Sequence, residues 1–411
     1  MAESRPSFFT RENKGAKQVS EAAMSATGSA GAAGVMGSEG FRSGVVDLTE
    51  YGLLKVHGAD AASFLQAQLT SDVTGMKNGE VRLAGYCSVK GRLMASFWVW
   101  RDAAAHTFWL ACSRDIVAAI ARRLSMFVLR AKAKVEDASD AVCLLGILAV
   151  EGDPRAPAIE GGAVALPAVA VSARLAAALE PARLETATDL RIARALRPLP
   201  ASSRDEALSA LQAAGASVLP MAAWRRLEVL SGIARIEAAN QDLFVPQMIN
   251  FEVVDGVNFR KGCYPGQEVV ARSQYLGKLK RRAFLGLGAG EAPASGTDVF
   301  APASGSADPV GQVVLAAPLD DGKRFVVFFE STIGAVPAEG DAGDARGRQE
   351  DPPRAGSAQT DPSPAEARDG QPSEPALRIG ASPIVRLPLP YPLPSPAAPP
   401  RPARRVPDAT A

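Results

Sequence analysis

This chain of 411 residues contains only two histidines and four cysteines. The two histidines, His57 and His106, are too few for a His-rich metal site, so we expect no bound metal. The four cysteines form no CxxC pair and lie far apart, which argues against a zinc finger and a disulfide framework. No run approaches the roughly 20 apolar residues of a membrane-spanning helix, and the first residues form no apolar signal core. These absences predict a cytoplasmic protein without a membrane partner.

An excess of charge of one sign is also missing, since 45 Lys and Arg residues face 44 Asp and Glu residues. A partner held by bulk electrostatics, such as nucleic acid or an anionic membrane, is therefore not expected. A basic run at 277–282 has few charges and no interleaved aromatic residue, so it does not indicate direct nucleic-acid binding. We interpret it as a solvated strand edge, with docking of an acidic protein as the second interpretation.

Composition divides the chain into folded and low-complexity parts. Residues 1–43 end in Gly- and Ala-rich sequence, and 16 of the 31 prolines fall in 351–411. Such segments bury too little apolar surface to offset the entropy of ordering, so we predict disorder in 1–43, 335–376 and 393–411. Residues 377–392 regain strand-like alternation, which makes 335–376 an insertion before a last strand pair.

The folded part is predicted to be α+β. Residues 44–280 mix strand and helix patterns, and 281–334 turns all-β, which together with 377–392 indicates a small C-terminal β-barrel. Gly52 and Gly58 are expected to break short strands, and Asp60 and Ser113 to cap helices. We expect strands at Val45–Leu48, Leu53–Val56, Val81–Val89, Arg92–Trp100, Thr107–Cys112, Val142–Val150, Phe284–Leu287, Val310–Leu315 and Phe325–Phe329, and helices at Ala61–Leu69, 114–127, 173–179, 204–213 and 221–231.

The most informative stretch runs from Lys261 to Glu268 and has the sequence KGCYPGQE. Pro265 suits the first position of a helix, because its missing N–H would be unpaired there in any case. Glu268 then complements the positive helix end. Cys263 would lie just before this helix with Lys261 close by, and both influences favour the thiolate. The motif therefore indicates a functional thiol, against the alternative of a small buried packing residue.

This octapeptide matches the pattern K-G-C-[FY]-x-G-Q-E at every position, and the chain thereby resembles the YgfZ family. That family comprises folate-binding proteins related to the glycine-cleavage T-protein, an aminomethyltransferase. Resemblance extends over about 44–334 and 377–392. It is carried further by Ala238–Asn240, Phe244–Gln247, Asn250, Val56–Asp60, Phe64–Gln66, Gln68–Asp72 and Leu387–Tyr391. The resemblance implies two T-protein-like α+β modules within 44–280, which can interleave, and the terminal barrel, arranged as a ring around a channel that binds folate.

The resemblance also implies site residues. Tyr51 and Trp224 align with aromatic residues implicated in contact with tetrahydrofolate or a derivative, against the alternative that both are core aromatics. Lys90 and Arg92 would hold the folate glutamate tail, unless they form a solvated hairpin turn. The signature itself supplies Lys261, Gly262, Cys263, Tyr264, Gly266, Gln267 and Glu268, with no metal ligand.

Two departures from the related enzyme stand out. Leu230 occupies the position of a Glu that can bond the pterin amino edge, and Glu228 is not expected to substitute because i and i+2 do not share a helical face. Ala95 and Ser96 occupy the positions of paired aspartates, which predicts that no carboxylate is available for aminomethyl transfer.

Three functions remain open at this point. The leading hypothesis is a folate-binding accessory protein in maturation or repair of iron–sulfur enzymes, its protein clients, including those that thiomethylate tRNA. Lacking the carboxylate, it would not be an enzyme in the ordinary sense. The alternatives are a folate-dependent one-carbon transferase of the aminomethyltransferase type and a Cys263 nucleophile enzyme, for which the sequence ties no base to the thiol.

Overall fold

The computed structural model describes residues 41–104, 106–159, 162–179, 189–275, 279–302, 307–336 and 376–394. The predicted disorder therefore falls almost wholly outside the described residues. Three residues of the proposed insertion are described: Ala335 ends a short 3-10 turn, both it and Val336 pack against an apolar cluster, and Ala376 is exposed. No helix in the described ranges is long and apolar enough to cross a membrane.

The body contains two five-stranded sheets whose strands are not contiguous in the chain. The first has the order β10-β1-β7-β9-β8 and the second β3-β4-β5-β2-β6. The first strand of the body thus joins strands that come more than 90 residues later, pairing with Leu145–Leu148. The body strands are β1 Gly44–Asp47, β2 Tyr51–His57, β3 Val81–Cys87, β4 Leu93–Arg101, β5 Thr107–Ser113, β6 Lys134–Asp137, β7 Val142–Val150, β8 Val164–Val171, β9 Leu190–Pro200 and β10 Val218–Leu219.

Six α-helices accompany these sheets within the described residues: α1 Ala61–Gln66, α2 Arg114–Ser125, α3 Ala173–Leu179, α4 Arg204–Ala213, α5 Met221–Leu230 and α6 Gln267–Tyr275. All but α1 and α6 lie within two residues of their predicted ends; α1 stops three residues early, and α6 begins two residues late.

Asp60 and Ser113 occupy the N-cap positions of α1 and α2 as predicted, but neither side chain bonds to its own helix. Asp60 accepts a hydrogen bond from the backbone N–H of Lys132 at 2.8 Å, and Ser113 accepts one from Arg235 at 3.3 Å. Both side chains tie distant segments together instead of capping their own helices.

Gly52 does not break a strand, because it lies inside β2. A Cβ at this position would come 2.3 Å from the Val117 side chain of α2. The glycine is therefore explained by the close approach of a helix to the strand, and the turn lies before it, where the N–H of Tyr51 donates to the carbonyl of Leu48.

The C-terminal part forms a nearly closed seven-stranded barrel. Its order, β16-β15-β12-β13-β14-β11-β17, places β16 and β17 at the two edges, although only Ile384 separates them in the chain. The N–H of Ala289 at the end of β11 donates to Ser382 Oγ in β16 at 2.9 Å, which links one edge strand to the neighbour of the other. These strands are β11 Arg281–Ala289, β12 Asp298–Phe300, β13 Gly311–Pro318, β14 Arg324–Thr332, β15 Arg378–Ile379, β16 Ser382–Pro383 and β17 Val385–Leu387.

The basic run is not a solvated strand edge where it is described. Residues 276–278 lie outside the described ranges, and Lys280 is exposed. Arg281 forms an ion pair with Glu330, and Arg282 is buried against Glu252. Both arginines therefore hold the first barrel strand in place.

Side-chain alternation along the strands connects the three sheets. In β14, Phe325, Val327 and Phe329 fill the barrel, whereas Val326 and Phe328 join a larger apolar cluster shared with both body sheets. A third cluster fills the space between the β3–β6 sheet and helices α1 and α2. One continuous core thus couples the barrel to the body.

Candidate functional site

The two predicted aromatic residues come together at the start of β2 and in the middle of α5. The indole N–H of Trp224 lies 3.5 Å from the Tyr51 hydroxyl, which in turn donates to Glu228 Oε1. Trp224 and Glu228 share one face of α5 because four residues separate them. Trp224 is completely buried in the core. It lies behind Tyr51 and does not line the adjoining recess.

About 320 Å³ of space lies within and in front of this recess, with the open solvent at its mouth included. Its walls combine the aromatic side of Tyr51 and Trp98 with the polar groups of Ser96, Arg194, Glu228, Ser231 and Arg235. The guanidinium of Arg235 lies 5.0 Å from the centre of the Tyr51 ring and covers one face of it. The arrangement is that of a small polar site with flat apolar walls.

Glu228 is the central polar group of the recess. Its Oε1 atom accepts from Tyr51 and lies 3.3 Å from Arg235 Nε. Its Oε2 atom is buried and has no hydrogen-bond partner among the described residues. Burial raises the pKa of this carboxyl, and the charge of Arg235 opposes the rise.

Of the two α5 positions compared in the sequence, Glu228 lines the recess and position 230 does not. Leu230 is fully buried in the large core cluster and does not line the recess. The two positions do lie on different faces of α5, but the face that meets the recess is the one that carries Glu228. The spacing of four residues between Trp224 and Glu228 was the signal in the sequence that could have identified Glu228 as a residue of this site.

The recess also contains a carboxylate despite the missing aspartates. Ser96 lines it from β4 and accepts a hydrogen bond from the N–H of Ile236 at 2.9 Å. Ala95 points into the cluster on the opposite face of the sheet. A helix thus supplies a carboxylate to the recess where the strand has none, while the absence of a carboxylate for aminomethyl transfer stays a prediction.

Arg194 and Arg235 were missed by the sequence reading. Arg194 Nε and Nη2 donate to the carbonyl of Pro167 at 3.3 and 3.2 Å, and its guanidinium lies 5.9 Å from the Trp224 ring. Arg235 binds Glu50 as well as Glu228. Charged residues within otherwise apolar stretches were the available signal, because a buried arginine requires partners.

The signature motif occupies a different place from the recess. The Lys261 ammonium donates to the carbonyls of Gln66 and Leu69 at the end of α1, and it lies 5.2 Å from the Tyr264 ring. Burial lowers the pKa of Lys261 to about 8. This lysine thus binds the carbonyl groups that the end of a helix leaves unpaired, and it is not directed at Cys263.

The predicted start of the helix after the signature is wrong. Helix α6 begins at Gln267, because Gly266 has a φ of 75° and so cannot belong to a right-handed helix. The carbonyl of Gly266 accepts from the N–H of Val270, and Glu268 lies in the first turn as expected. Cys263 is therefore four residues upstream of the helix.

The hairpin of Lys90 and Arg92 packs against the signature motif. A Cβ on Gly91 would come 2.7 Å from Val269, and one on Gly266 would come 2.3 Å from the Ser88 carbonyl. Lys90 is exposed, and Arg92 donates to the carbonyl of Leu243. Neither side chain lines the recess with Tyr51.

Cys263 is exposed, whereas the other thiols are covered to different degrees. Cys87 and Cys112 are buried and Cys143 is partly buried, in β3, β5 and β7 as predicted. The structure does not bring Cys263 to the recess. No group of three or more His, Cys, Asp or Glu among the described residues is placed to hold a metal ion.

The remaining motif residues join the body to the barrel. Asn240 donates to the carbonyl of Val314 at 2.8 Å, and Asn250 donates to that of Ala283 at 2.8 Å. The hydroxyl of Tyr391 donates to the carbonyl of Gly232 at 2.7 Å, directly after α5. Tyr391 thus anchors the last described residues next to the helix that carries Glu228.

Sequence comparison relates this arrangement to known proteins. A family model described as the GCVT N-terminal domain matches residues 40–159. The "tRNA-modifying protein YgfZ" of Vibrio vulnificus (strain YJ016) is 30% identical over 283 residues, 68% of this chain and 82% of that protein. The protein of the same name from Edwardsiella ictaluri is 30% identical over 295 residues, 70% of this chain and 83% of its own length. The chain belongs to the YgfZ family.

A solved structure extends the likeness of this YgfZ-family chain to the fold. The glycine cleavage system aminomethyltransferase T of Bartonella henselae matches with a TM-score of 0.52 and 15% identity, over 72% of this chain and 79% of that one. The α+β fold with a C-terminal barrel is thus of the GCVT type. The identity is too low to transfer more than the fold.

Proposed function

We propose that this YgfZ-family protein binds a reduced folate in the recess and acts as an accessory protein in maturation or repair of iron–sulfur enzymes, including those that thiomethylate tRNA. The name of the relatives, "tRNA-modifying protein YgfZ", and the GCVT-type domain support the proposal. The observation that carries it is the recess itself, where an unpartnered carboxylate oxygen is buried beside flat aromatic walls.

The residues of the recess fit the pterin head of a folate. A pterin is a flat ring with N–H donors on one edge, and Glu228 Oε2 is an acceptor without a donor among the described residues. Only the ring would enter this small recess, because the space of about 320 Å³ includes the open solvent at its mouth. The remainder of the folate would extend out of the mouth.

The chain's own residues have distinct parts in this binding. Tyr51 and Trp98 would cover the ring, and Arg235 keeps Tyr51 and Glu228 in position through its contacts with both. Trp224 would not touch the folate but would hold Tyr51 and Arg194 in place from the core side. Lys90, exposed on its hairpin, and Arg92 are proposed to hold the glutamate tail. When bound, a reduced folate supplies a one-carbon carrier.

Titration with tetrahydrofolate tests this binding, followed by Trp fluorescence and calorimetry. Tyr51→Leu should weaken binding several-fold, since losing a ring contact costs roughly 1 kcal/mol. Tyr275→Leu is the matched control, because this exposed tyrosine lies in α6 away from the recess. Wild-type protein that neither releases heat nor changes fluorescence would refute the folate proposal.

Cys263 is the proposed functional thiol of the accessory role. The proposed location of the protein is the cytoplasm. Cys263→Ala should leave the melting temperature nearly unchanged, because the exposed side chain contributes little packing. It should abolish recovery of iron–sulfur enzyme activity in cells that lack the protein, whereas Cys143→Ala should restore it. Full recovery with Cys263→Ala would reduce this cysteine to a surface residue.

A folate-dependent one-carbon transferase is the second candidate, because Glu228 places a carboxylate in the recess. Incubation of the purified protein with tetrahydrofolate and an S-aminomethyl thiol donor separates the two functions, because transfer of the methylene carbon breaks its C–S and C–N bonds and releases the thiol and ammonia. Formation of methylenetetrahydrofolate that Glu228→Gln abolishes would favour the transferase. Its absence, together with folate binding, favours the accessory protein.

A further inference from the structure

A group of exposed apolar side chains follows helix α2, far from the recess in the chain. Met126, Phe127 and Leu129 are 62%, 44% and 86% exposed, and they are three of the nine large apolar side chains that are exposed among the described residues. Single exposed apolar residues need no explanation, whereas a contiguous group marks a surface that meets a protein or a membrane. We call residues 126–129 the apolar tip.

The backbone holds these side chains in solvent. The N–H of Phe127 donates to the carbonyl of Leu124 at 3.0 Å, so α2 passes directly into a tight turn. Val128 packs against the apolar cluster between α1, α2 and their sheet, which fixes the tip from inside. Leu129 has a φ of 43°, a conformation that bulky side chains rarely adopt. Such strain persists where the surrounding structure imposes it, and it is frequent at functional sites.

Positive charge surrounds the apolar tip. Residues 116–135 contain no Asp or Glu and five cations: Arg122, Arg123, Arg130, Lys132 and Lys134. All of these except Arg123 are exposed. Among the described residues, two carboxylates from outside the stretch bond to it: Asp60 accepts from the backbone N–H of Lys132, and Glu136 pairs with Lys134. The excess of charge here remains positive, although the chain as a whole is nearly balanced.

A lipid surface suits this combination better than a protein partner. A protein interface of standard size takes about 20–30 residues on each side, far more than three apolar side chains on one protruding turn. A bilayer requires no complementary shape, because apolar side chains enter the boundary between head groups and acyl chains. Lys and Arg side chains remain at the head groups, where anionic lipids attract them.

We propose that Met126, Phe127 and Leu129 insert into the surface of an anionic bilayer, with the surrounding cations held at its phosphate head groups. The protein would lie on the membrane and not span it, in keeping with the absence of a spanning helix from the described ranges. The inference goes beyond the proposed function. It also departs from the expectation of no membrane partner, which rested on the net charge of the whole chain and not on its distribution.

Co-sedimentation of the full-length protein with vesicles tests the proposal. Vesicles of phosphatidylglycerol and phosphatidylcholine in equal parts are compared with vesicles of phosphatidylcholine alone. We expect binding to the mixed vesicles at low salt, about tenfold weaker binding without phosphatidylglycerol, and a marked loss at high salt. Binding to neither kind of vesicle would overturn the inference and leave the tip to an acidic protein partner. Equal binding to both kinds would also overturn it.

Matched variants assign the contacts with the mixed vesicles. Leu129→Ser should weaken binding about fivefold or more, because an inserting side chain is lost. Val89→Ser is its control and should change nothing, since Val89 is 78% exposed but lies between β3 and β4. Arg130→Gln should also weaken binding about fivefold, whereas Arg260→Gln alters an exposed arginine outside the stretch and should not. Binding that neither Leu129→Ser nor Arg130→Gln weakens contradicts the proposal.

The same variants separate this inference from the proposed function. Leu129 and Arg130 do not line the recess, so both variants should bind tetrahydrofolate like the wild-type protein. Their melting temperatures should also stay unchanged, because both side chains are exposed. Wild-type protein that binds tetrahydrofolate but no vesicle refutes the membrane contact alone, and protein that binds the mixed vesicles but no tetrahydrofolate refutes the folate proposal alone.

Discussion

The four thiols of the chain differ first in how far solvent reaches them. Burial raises the pKa of Cys87 to about 12, with the charge of Asp242 adding to the effect, and burial likewise raises the pKa of Cys112 far above its usual range. The pKa of Cys143 is raised by partial burial and by Asp47. Only the thiolate reacts as a nucleophile, so these three are poor targets at neutral pH.

Cys263 should therefore be the most readily alkylated of the four cysteines at neutral pH, because it alone is exposed. Limited iodoacetamide treatment followed by mass-spectrometric mapping should show modification at Cys263 first, then at Cys143, with Cys87 and Cys112 modified only after unfolding. Denatured protein provides the control in which the four react at similar rates. Earlier modification of Cys143 would contradict the order.

At this scale the sequence pointed to Tyr51, which lines the recess, and to Trp224, which the structure buries in the core, but not to the polar groups around the recess. Tyr51 and Trp224 were recognisable because aromatic residues and a family pattern mark them. Arg194 comes from β9, which was not predicted, so its contact with α5 had no basis in the local sequence. The role of Glu228 depended on which face of α5 meets the recess, and that face is set by long-range packing.

At the scale of elements, two tight backbone contacts hold the signature motif against the hairpin of β3 and β4. Gly266 has a φ of 75° and lies against the Ser88 carbonyl, and Gly91 has a φ of 71° and lies against Val269. A side chain at either position would meet both a disfavoured backbone conformation and a neighbouring atom. The glycine between Pro265 and Gln267 is thus required by close packing of two loops.

Gly266→Ala should destabilise the protein by about 1–3 kcal/mol, since it combines left-handed strain with a backbone clash. Gly262→Ala in the same motif is the control, because no atom lies within 4 Å of the Cβ it would add. Its effect should stay within about 0.5 kcal/mol. Melting curves of the two variants check the prediction, and equal losses of stability would show that the contact with Ser88 does not matter.

The errors in the predicted elements have a common physical cause. The local sequence predicts that Asp60 and Ser113 cap helices and that Gly52 breaks a strand. In the structure each is explained by a segment far along the chain: Lys132, Arg235 and Val117. Strands with strong apolar patterns, such as β4, β7 and β14, were predicted within a few residues because burial on both faces leaves a clear local signal.

At the scale of the whole molecule, the barrel depends on the segment after residue 375. Strand β15 pairs with β12 and with β16, strand β17 pairs with β11, and the adjacency of β16 and β17 in the chain brings the sheet edges together. Tyr391 then contacts Gly232 in the body.

That 377–392 complete the barrel could be predicted from alternation and the family pattern. The non-sequential order of the sheets could not, because pairing partners are distant in the chain. The ring around a channel stays a prediction.

Replacing 337–375 by a short Gly-Ser linker should leave the melting temperature nearly unchanged. The flanking residues Val336 and Leu377 both pack against the barrel cluster, so the linker joins points on one surface. Shortening a loop changes its closure entropy by only about 1 kcal/mol or less.

Truncation after 376 is the matched comparison, and it should lower the melting temperature strongly. It removes three barrel strands, the buried side chains of Leu377, Ile379 and Leu387, and the Tyr391 hydroxyl that donates to Gly232. Because the large core cluster is continuous from the barrel to both body sheets, the loss should spread beyond the barrel. Hydrogen exchange should then show reduced protection in β11 and β14 and at the end of α5. Similar melting curves for the two variants would contradict the assignment of 377–392 to the barrel, since only the truncation removes paired strands.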